Sequence, residues 1–584
     1  MKYLKVYSLF LLGIAMAGCN GLGKMEKNAS TVKYEVAPNP LELHGDSVGI
    51  SIKGNYPLKY FSKKANLVIT PVVKTTSGEI AFKPVEIKGE KATSANGATI
   101  NYKEGGNFTY SDKTVYSPEM RAGDVMLKIK GTEGKTTKDF APMKIADATI
   151  TTPLLAMKHG NVIMAKDNYV RTINKSYNGM IYYPINASKV TPGFKHKGSG
   201  IVNKNTMAEL DSIMKSMERE SFSLKGINIT GNASPDGKLA LNTKLADDRS
   251  KSASKYLEGS MKKGKGKGKD KDKTEAPAPA MNLSSNSEDW PGFQTLMQAS
   301  DMAQKDMILR IVASNSDVDA REMEIKKMGK AFTEIADKIL PKLRKSDIVY
   351  NAEKQGRSDE QISATAKSNP EALSIEELLR AGSLAPDNEK GAIYANAERM
   401  YPNDWRGANN AGAVKYMAKD YDGAMSEFQK ADKLNANNKT VKNNMGACYL
   451  AKGDRKNAME MLTAASGAGD EVNWNMVPLD IWNGNYTAAV GHCGSANTFN
   501  CSLAKLLSGD KDGAASALAS SPDKDSAMGH YLAAVIAARK GSAPDVISHL
   551  TTAVGKDGSL KAMAKDDREF LKWFNDAGFK AVVQ

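Results

Sequence analysis

Residues 412–431 read GAVKYMAKDYDGAMSEFQKA, and residues 446–465 read GACYLAKGDRKNAMEMLTAA. Laid over each other, Gly412, Ala424, Phe428 and Ala431 fall on Gly446, Ala458, Leu462 and Ala465, a spacing of 34 residues. One period earlier, Tyr394, Ala397 and Pro402 stand at matching places. Two antiparallel helices approach closely only where Gly and Ala face each other, and Phe or Leu then fills the space toward the next hairpin. Turn signals recur at Lys419-Asp420-Tyr421, Lys452-Gly453-Asp454, Asn483-Gly484-Asn485 and Ser508-Gly509-Asp510, each leading into a helix with alanine near its start. His530 to Arg539 and Pro544 to Val554 read as a later helix pair, and Asp566 to Phe579 as a capping helix. The pattern predicts roughly five or six helical hairpins over about 370–584.

This period resembles the tetratricopeptide (TPR) repeat. The resemblance implies a solenoid whose concave face docks a protein partner.

Upstream, strand and helix signals alternate. Met180 to Tyr183 reads as a strand, and Met207, Leu210, Ile213, Met214 and Met217 form a helical stripe over Thr206 to Glu218. Leu224 to Thr230 is a second strand and Leu239 to Leu257 a second amphipathic helix. Lys262 to Ala280 is low complexity and cannot bury a core. Helix returns over Trp290 to Leu343, and Asp347 to Tyr350 is a closing strand. The order is β-α-β-α-insert-α-β.

The stretch Ile227-Asn228-Ile229-Thr230-Gly231-Asn232-Ala233-Ser234-Pro235-Asp236-Gly237, followed by Asn242, Leu245 and Arg249, resembles the OmpA-like, peptidoglycan-associated domain. That family carries a strand, a Gly-x-Thr-Asp turn, a Gly, and Asn-x-x-Leu-x-x-x-Arg on the next helix. The resemblance implies that the turn's acid and the helix arginine grip the charged groups of the wall's stem peptide. Ser234, Asp236, Asn242 and Arg249 are the candidate wall-binding residues. Arg249 matches the family arginine, but the acid's position falls on Ser234. Asp236, two residues on, is a candidate substitute that the register does not demand. The alternative is a retained scaffold whose site has drifted, with Arg249 salt-bridged to a neighbouring acid.

From about Thr31 to Gly131 the chain is strand-like. Val48 to Ile52 alternates, Leu67 to Thr70 is a β-branched run, and Met126 to Lys130 alternates again, between Gly, Pro, Asn and Asp turns. Short strands at about ten-residue spacing predict a β-sandwich, immunoglobulin-like in kind. A further β-rich piece is expected over Phe140 to Val170.

The chain begins with Lys2 and Lys5, an apolar run from Val6 to Met16, and then Ala17-Gly18-Cys19. A basic start, a short apolar run and small residues make a secretory signal rather than a membrane span. Its end resembles the lipobox of bacterial lipoproteins, which implies that Cys19 becomes the first mature residue and carries acyl chains. The alternative is an ordinary signal peptide that contains a cysteine. The remaining cysteines, Cys448, Cys493 and Cys501, are odd in number and no disulfide framework. Cys493 and Cys501 are near enough to pair and export permits it. The competing reading makes all three buried small apolar residues.

The 584 residues carry a formal charge of +15, partly concentrated over Lys262 to Lys273. For an exported chain the expected anionic contacts are wall polymer or lipid head groups, with no nucleic acid. There is no nucleophile elbow, phosphate loop, zinc-protease helix or dinucleotide fingerprint, and the six histidines are scattered. Asp247-Asp248 and Glu376-Glu377 read as solvated helix faces. No enzyme, metal or cofactor is expected beyond the lipid on Cys19.

The expected organisation is a signal peptide (1–18), a lipidated tether (19–32), a β-rich sandwich region (33–170), a central α/β OmpA-like domain (171–356) with a disordered Lys-rich insert (258–285), and an all-α TPR region (357–584). The expected function is an outer-membrane-anchored scaffold, since Asn20 is not the aspartate that retains some lipoproteins at the inner membrane. Its body faces the periplasm, tethers to peptidoglycan and docks a protein partner. Two alternatives are a subunit of an assembly, secretion or uptake complex without wall binding, and a surface-exposed structural lipoprotein.

Overall fold

The computed structural model describes residues 21–93, 96–264 and 279–584. The expected signal sequence, Cys19 and most of the Lys-rich tract lie outside the described residues. The chain forms two compact units, one of residues 21–166 with 385–584 and the other of residues 167–384.

In the first unit, alternation decides the sheets. Val48, Ile50 and Ile52 point inward from the strand Ser47–Tyr56, which pairs antiparallel with Lys33–Ala37 and with Gly106–Val115. A second sheet is built on Ala65–Lys74 and Asp124–Glu133, paired antiparallel. Leu67, Ile69, Val125, Leu127 and Ile129 from this sheet share one buried core with Val48, Ile50 and Ile52. The amino-terminal region is therefore sheet-rich, with two sheets on a common core.

Two expectations fail here. Residues 21–31 are not a free tether. Gly21–Lys27 is a helix whose Leu22 and Met25 are buried in the sheet core, with Leu22 against Gly131. Apolar residues three apart share one helix face, and that face is enough to dock the turn. The β-rich piece expected to Val170 ends at the strand Met143–Asp147. A 3-10 turn, Thr152–Leu155, follows it, and residues 156–170 have no regular secondary structure.

The same unit holds the helical repeats. Trp405–Met417 pairs with Tyr421–Leu434, and Lys439–Lys452 with Arg455–Ala464. Asp470–Trp482 pairs with Tyr486–Cys493, Phe499–Leu507 with Lys511–Ala519, and Ala527–Lys540 with Ala543–Lys556. Gly412 and its counterpart in the next repeat, Gly446, each admit a large side chain from the facing helix. A Cβ on Gly412 would lie 2.7 Å from the Phe428 ring, and one on Gly446 would lie 2.7 Å from Leu462. Ala424, Ala431, Ala458 and Ala465 are buried beside them. Asp420, Asp454 and Asp510 cap the second helices of their hairpins by accepting from backbone N–H groups of the first turn. The repeats and the sheets are one body: Arg568 donates to the carbonyls of Ala148 and Ala122, and Arg121 to that of Met563.

Cys493 and Cys501 form a disulfide across 5.7 Å between Cα atoms, so only Cys448 remains a buried free thiol among the described residues. Burial pushes the Cys448 thiol up to about 12.

The second unit is a four-stranded sheet in the order Thr172–Tyr182, Lys345–Gln355, Ser223–Asn232, Ala280–Asn286. Asn203–Arg219 and Leu239–Gly264 pack against it, burying Met207, Met217, Ala253 and Leu257 with Ile227, Ile229 and Ile348. The last strand corrects the expected insert, because Ala280–Asn286 pairs parallel with Gly226 to Asn232. Its sequence, AMNLSSN, is polar and mostly exposed, so it carries no apolar alternation to announce it. The helices Asp359–Ser368 and Ile375–Leu384 also belong to this unit rather than to the repeats. Glu377 there is buried rather than solvated, and accepts from Arg357 and from Ser374.

Two outcomes are expected. Gly412→Val should lower stability by about 1–3 kcal/mol through overpacking against Phe428, read as an earlier loss of helical circular dichroism on heating. Denatured and unreduced, residues 20–584 should take up a single equivalent of maleimide, at Cys448.

Candidate functional site

The irregular segment after Leu155 runs as an extended strap along the first helices of four successive hairpins. Each helix offers an asparagine to it. Asn500 accepts from the Met157 N–H (2.8 Å) and donates to its carbonyl (3.1 Å). Asn475 accepts from the Asn161 N–H (2.6 Å) and donates to its carbonyl (2.9 Å). Asn444 does the same for Ile163 (2.7 and 2.8 Å), and Asn410 for Ala165 (2.7 and 2.9 Å). The strap therefore runs opposite to the order of the repeats.

The geometry follows from the chemistry of both partners. An extended chain turns the N–H and C=O of every second residue to one side. A primary amide presents one acceptor and two donors, and so matches such a pair with parallel bonds. Asn443 and Asn409 add second donors to the carbonyls of Asn161 and Ile163 (3.0 and 3.1 Å). Asn475 donates to Asn443 and Asn444 to Asn409 (3.0 and 2.9 Å), linking one repeat to the next. Asn409, Asn410, Asn443, Asn444 and Asn475 are all at most 1% exposed. A buried amide without partners is costly, so the strap's backbone satisfies a need that the groove itself creates.

Side chains of the strap fit in two ways. Val162 and Met164, on one face of the extended chain, pack against the buried core of the first two hairpins. Gly160 donates its N–H to the Tyr416 hydroxyl (2.8 Å), and a Cβ there would lie 3.0 Å from both the Ala447 Cβ and Asn475 Oδ1. At its start the strap is fixed by Thr152, whose hydroxyl donates to buried Glu569 (2.5 Å), itself paired with Arg539.

In the second unit, the four candidate wall-binding residues have unequal roles. Asp236 lies beside Ser234 in space: the Ser234 hydroxyl donates to its carboxylate. Arg344, just before the strand Lys345–Gln355, donates to Ser234 Oγ (3.0 Å) and to Asp236 Oδ2 (2.9 Å). Asn242 is a brace for the turn, donating to the carbonyls of Ser234 and Gly237 (both 3.1 Å). Arg249 is 1% exposed, donates to the carbonyls of Ala187 (3.0 Å) and Asn232 (2.8 Å), and stacks over the Tyr183 ring. Burial pulls its pKa down to about 10. The expected alternative of a salt bridge from Arg249 to a neighbouring acid is not what forms: Asp247 pairs instead with Lys251.

The sequence held an unread signal for the groove. Asn409-Asn410-Ala411-Gly412 recurs as Asn443-Asn444-Met445-Gly446, so the asparagine pair keeps the same period as the packing glycines. Arg344 carried no signal, because its role comes from a turn more than a hundred residues earlier in the chain. Among the described residues, no group of three His, Cys, Asp or Glu is placed to hold a metal ion, and no helix is long and apolar enough to cross a membrane.

No family model matches this chain, and no curated protein matches it. Among solved structures, it is similar to MamA at 15% identity, covering 26% of this chain and 88% of that one, with a TM-score of 0.20. It is similar to YrrB, described as a TPR protein with an unusual peptide-binding site, at 16% identity over 34% of this chain and 94% of that one, TM-score 0.21. Yeast Tom70 is similar at 11% identity over 47% of this chain and 65% of that one, TM-score 0.24.

Asn444→Leu should destabilise the first unit by about 1–3 kcal/mol, since it strands the Ile163 N–H and Asn409 Oδ1 together. Arg249→Ala should likewise lower stability of the second unit, because two backbone carbonyls lose their donor. Thermal unfolding of each variant beside the parent checks both.

Proposed function

We propose that this chain is an exported, lipid-anchored scaffold of the bacterial outer membrane, facing the periplasm and holding polypeptide partners on its helical repeats. The observation that carries the reading is the row of helical hairpins, whose first helices hold an extended stretch of this chain by its backbone through buried asparagines. The disulfide between Cys493 and Cys501 supports an oxidising compartment. Acylation at Cys19 gives the anchor. The first described helix, Gly21–Lys27, is docked on the sheet core through Leu22 and Met25, so the folded body lies close in sequence to that anchor.

The central unit is the proposed wall-binding module of OmpA-like kind. Its sheet flanked by helices, and the cluster of Ser234, Asp236 and Arg344 at the turn after Ser223–Asn232, support that role. A second reading, a complex subunit that no longer binds the wall, is favoured by one observation: Arg249 is buried and directs its donors to backbone carbonyls, and Asp236 is already engaged by Arg344.

Fatty-acid labelling in cells should mark the parent and not Cys19→Ser. The mature chain should co-sediment with purified sacculi, and Asp236→Asn should weaken that binding by about tenfold, the worth of one charged hydrogen bond. Failure of the parent to pellet selects the subunit reading. Photo-cross-linking in cells from the exposed side of the helix Tyr421–Leu434 should capture a discrete protein partner under either reading, and its absence would count against the scaffold.

A further inference from the structure

The groove along the repeats is filled by the chain's own strap, and almost every bond that holds the strap goes to its backbone. Met157, Asn161, Ile163 and Ala165 are each gripped at both N–H and C=O by one asparagine. A grip of this kind does not depend on the identity of those four residues. It excludes proline there, because proline has no N–H to give. Selectivity falls on the positions between them. Position 160 favours glycine, since a Cβ there would lie 3.0 Å from Ala447 Cβ and Asn475 Oδ1 and both would have to give. Positions 162 and 164 must be apolar, since they pack on the core of the first two hairpins.

We infer that the strap is a resident stand-in, and that the same groove takes an extended segment of a partner protein carrying glycine followed by apolar residues two and four positions on. The inference rests on the scaffold reading above and specifies its ligand. The occupant's chemistry is read from the segment that occupies the groove: an unfolded, proline-free stretch of about nine residues with the spacing Gly-x-Φ-x-Φ. A tethered strap competes at an effective concentration on the order of millimolar. A partner segment present at micromolar levels therefore enters only when the strap has left.

The test uses the full-length chain in detergent and a fluorescent peptide of residues 156–166. In the released chain, Asn161→Pro, Ile163→Pro and Ala165→Pro together remove the N–H groups read by Asn475, Asn444 and Asn410. The peptide should bind this chain at least about tenfold more tightly than the unaltered one. A peptide with Gly160→Leu should lose that binding, and Asn444→Leu in the released chain should abolish it. No binding by a released chain that keeps its helical circular dichroism overturns the inference. Whether the strap leaves its groove is decided by hydrogen exchange on the unaltered chain, whatever the folding of the released one. Exchange at Asn161, Ile163 and Ala165 faster than at the buried helix amides of Lys439–Lys452 supports a strap that leaves its groove. Exchange as slow as those amides makes it a permanent brace and overturns the proposal. Dimerisation of the unaltered chain by exchange of straps would also overturn it, in favour of a second copy as occupant. Cross-linking from Tyr421–Leu434 reports partner docking separately, so a failed peptide experiment leaves the scaffold reading standing or falling by itself.

Discussion

Everything in the first unit turns on the cost of burying amides. Five asparagine side chains lie at the bottom of the repeat groove, each shielded from water. Without partners each would carry the desolvation cost of an unpaired buried amide. Their partners are one another and the main chain of an extended segment, so the groove is complete only when a polypeptide lies in it. The small residues at Gly412 and Gly446 set the distance between helices. The asparagines set what fills the space on the other side.

The first unit is also unusual in joining distant stretches of the chain. The sheets come from residues before 150 and the repeats from residues after 385, yet they share one body. The strap and the arginines at 121, 539 and 568 fasten them together. Arg568 and Arg121 reach backbone carbonyls across the join, and Arg539 holds Glu569, which in turn holds Thr152. Charged donors on backbone acceptors make a polar seam, and that seam fixes orientation more strictly than an apolar patch would.

Much of this was legible in sequence where periodicity is strict. The 34-residue spacing gave the hairpins their helices and their packing residues, because close helix approach admits few side chains. The alternating strands Ser47–Tyr56 and Asp124–Glu133 were legible for the same reason, as one face is buried. What escaped notice was polar or irregular. Ala280–Asn286 is a strand by its pairing with Gly226 to Asn232, not by its composition. Gly21–Lys27 reads as a tether until a core is there to receive Leu22 and Met25. Arg249 was legible by its motif as a ligand-binding group, while its surroundings make it a buried tie between the Asn232 and Ala187 carbonyls. The strap was least legible of all, because backbone recognition leaves almost no mark on the residues recognised.

The strap also has a place in the covalent path. The central unit leaves the first unit at Lys166 and returns at Ala385, so it is an insertion whose two ends both join the first unit near its first hairpin: Ala165 is held by Asn410 of that hairpin, and Ala385 leads directly into the helix before it. Any mechanical load passing along the main chain from the central unit toward the amino terminus meets the pair of bonds at Ala165 first, then those at Ile163, Asn161 and Met157 in turn. Along the main chain the strap thus stands between the central unit and the sheets.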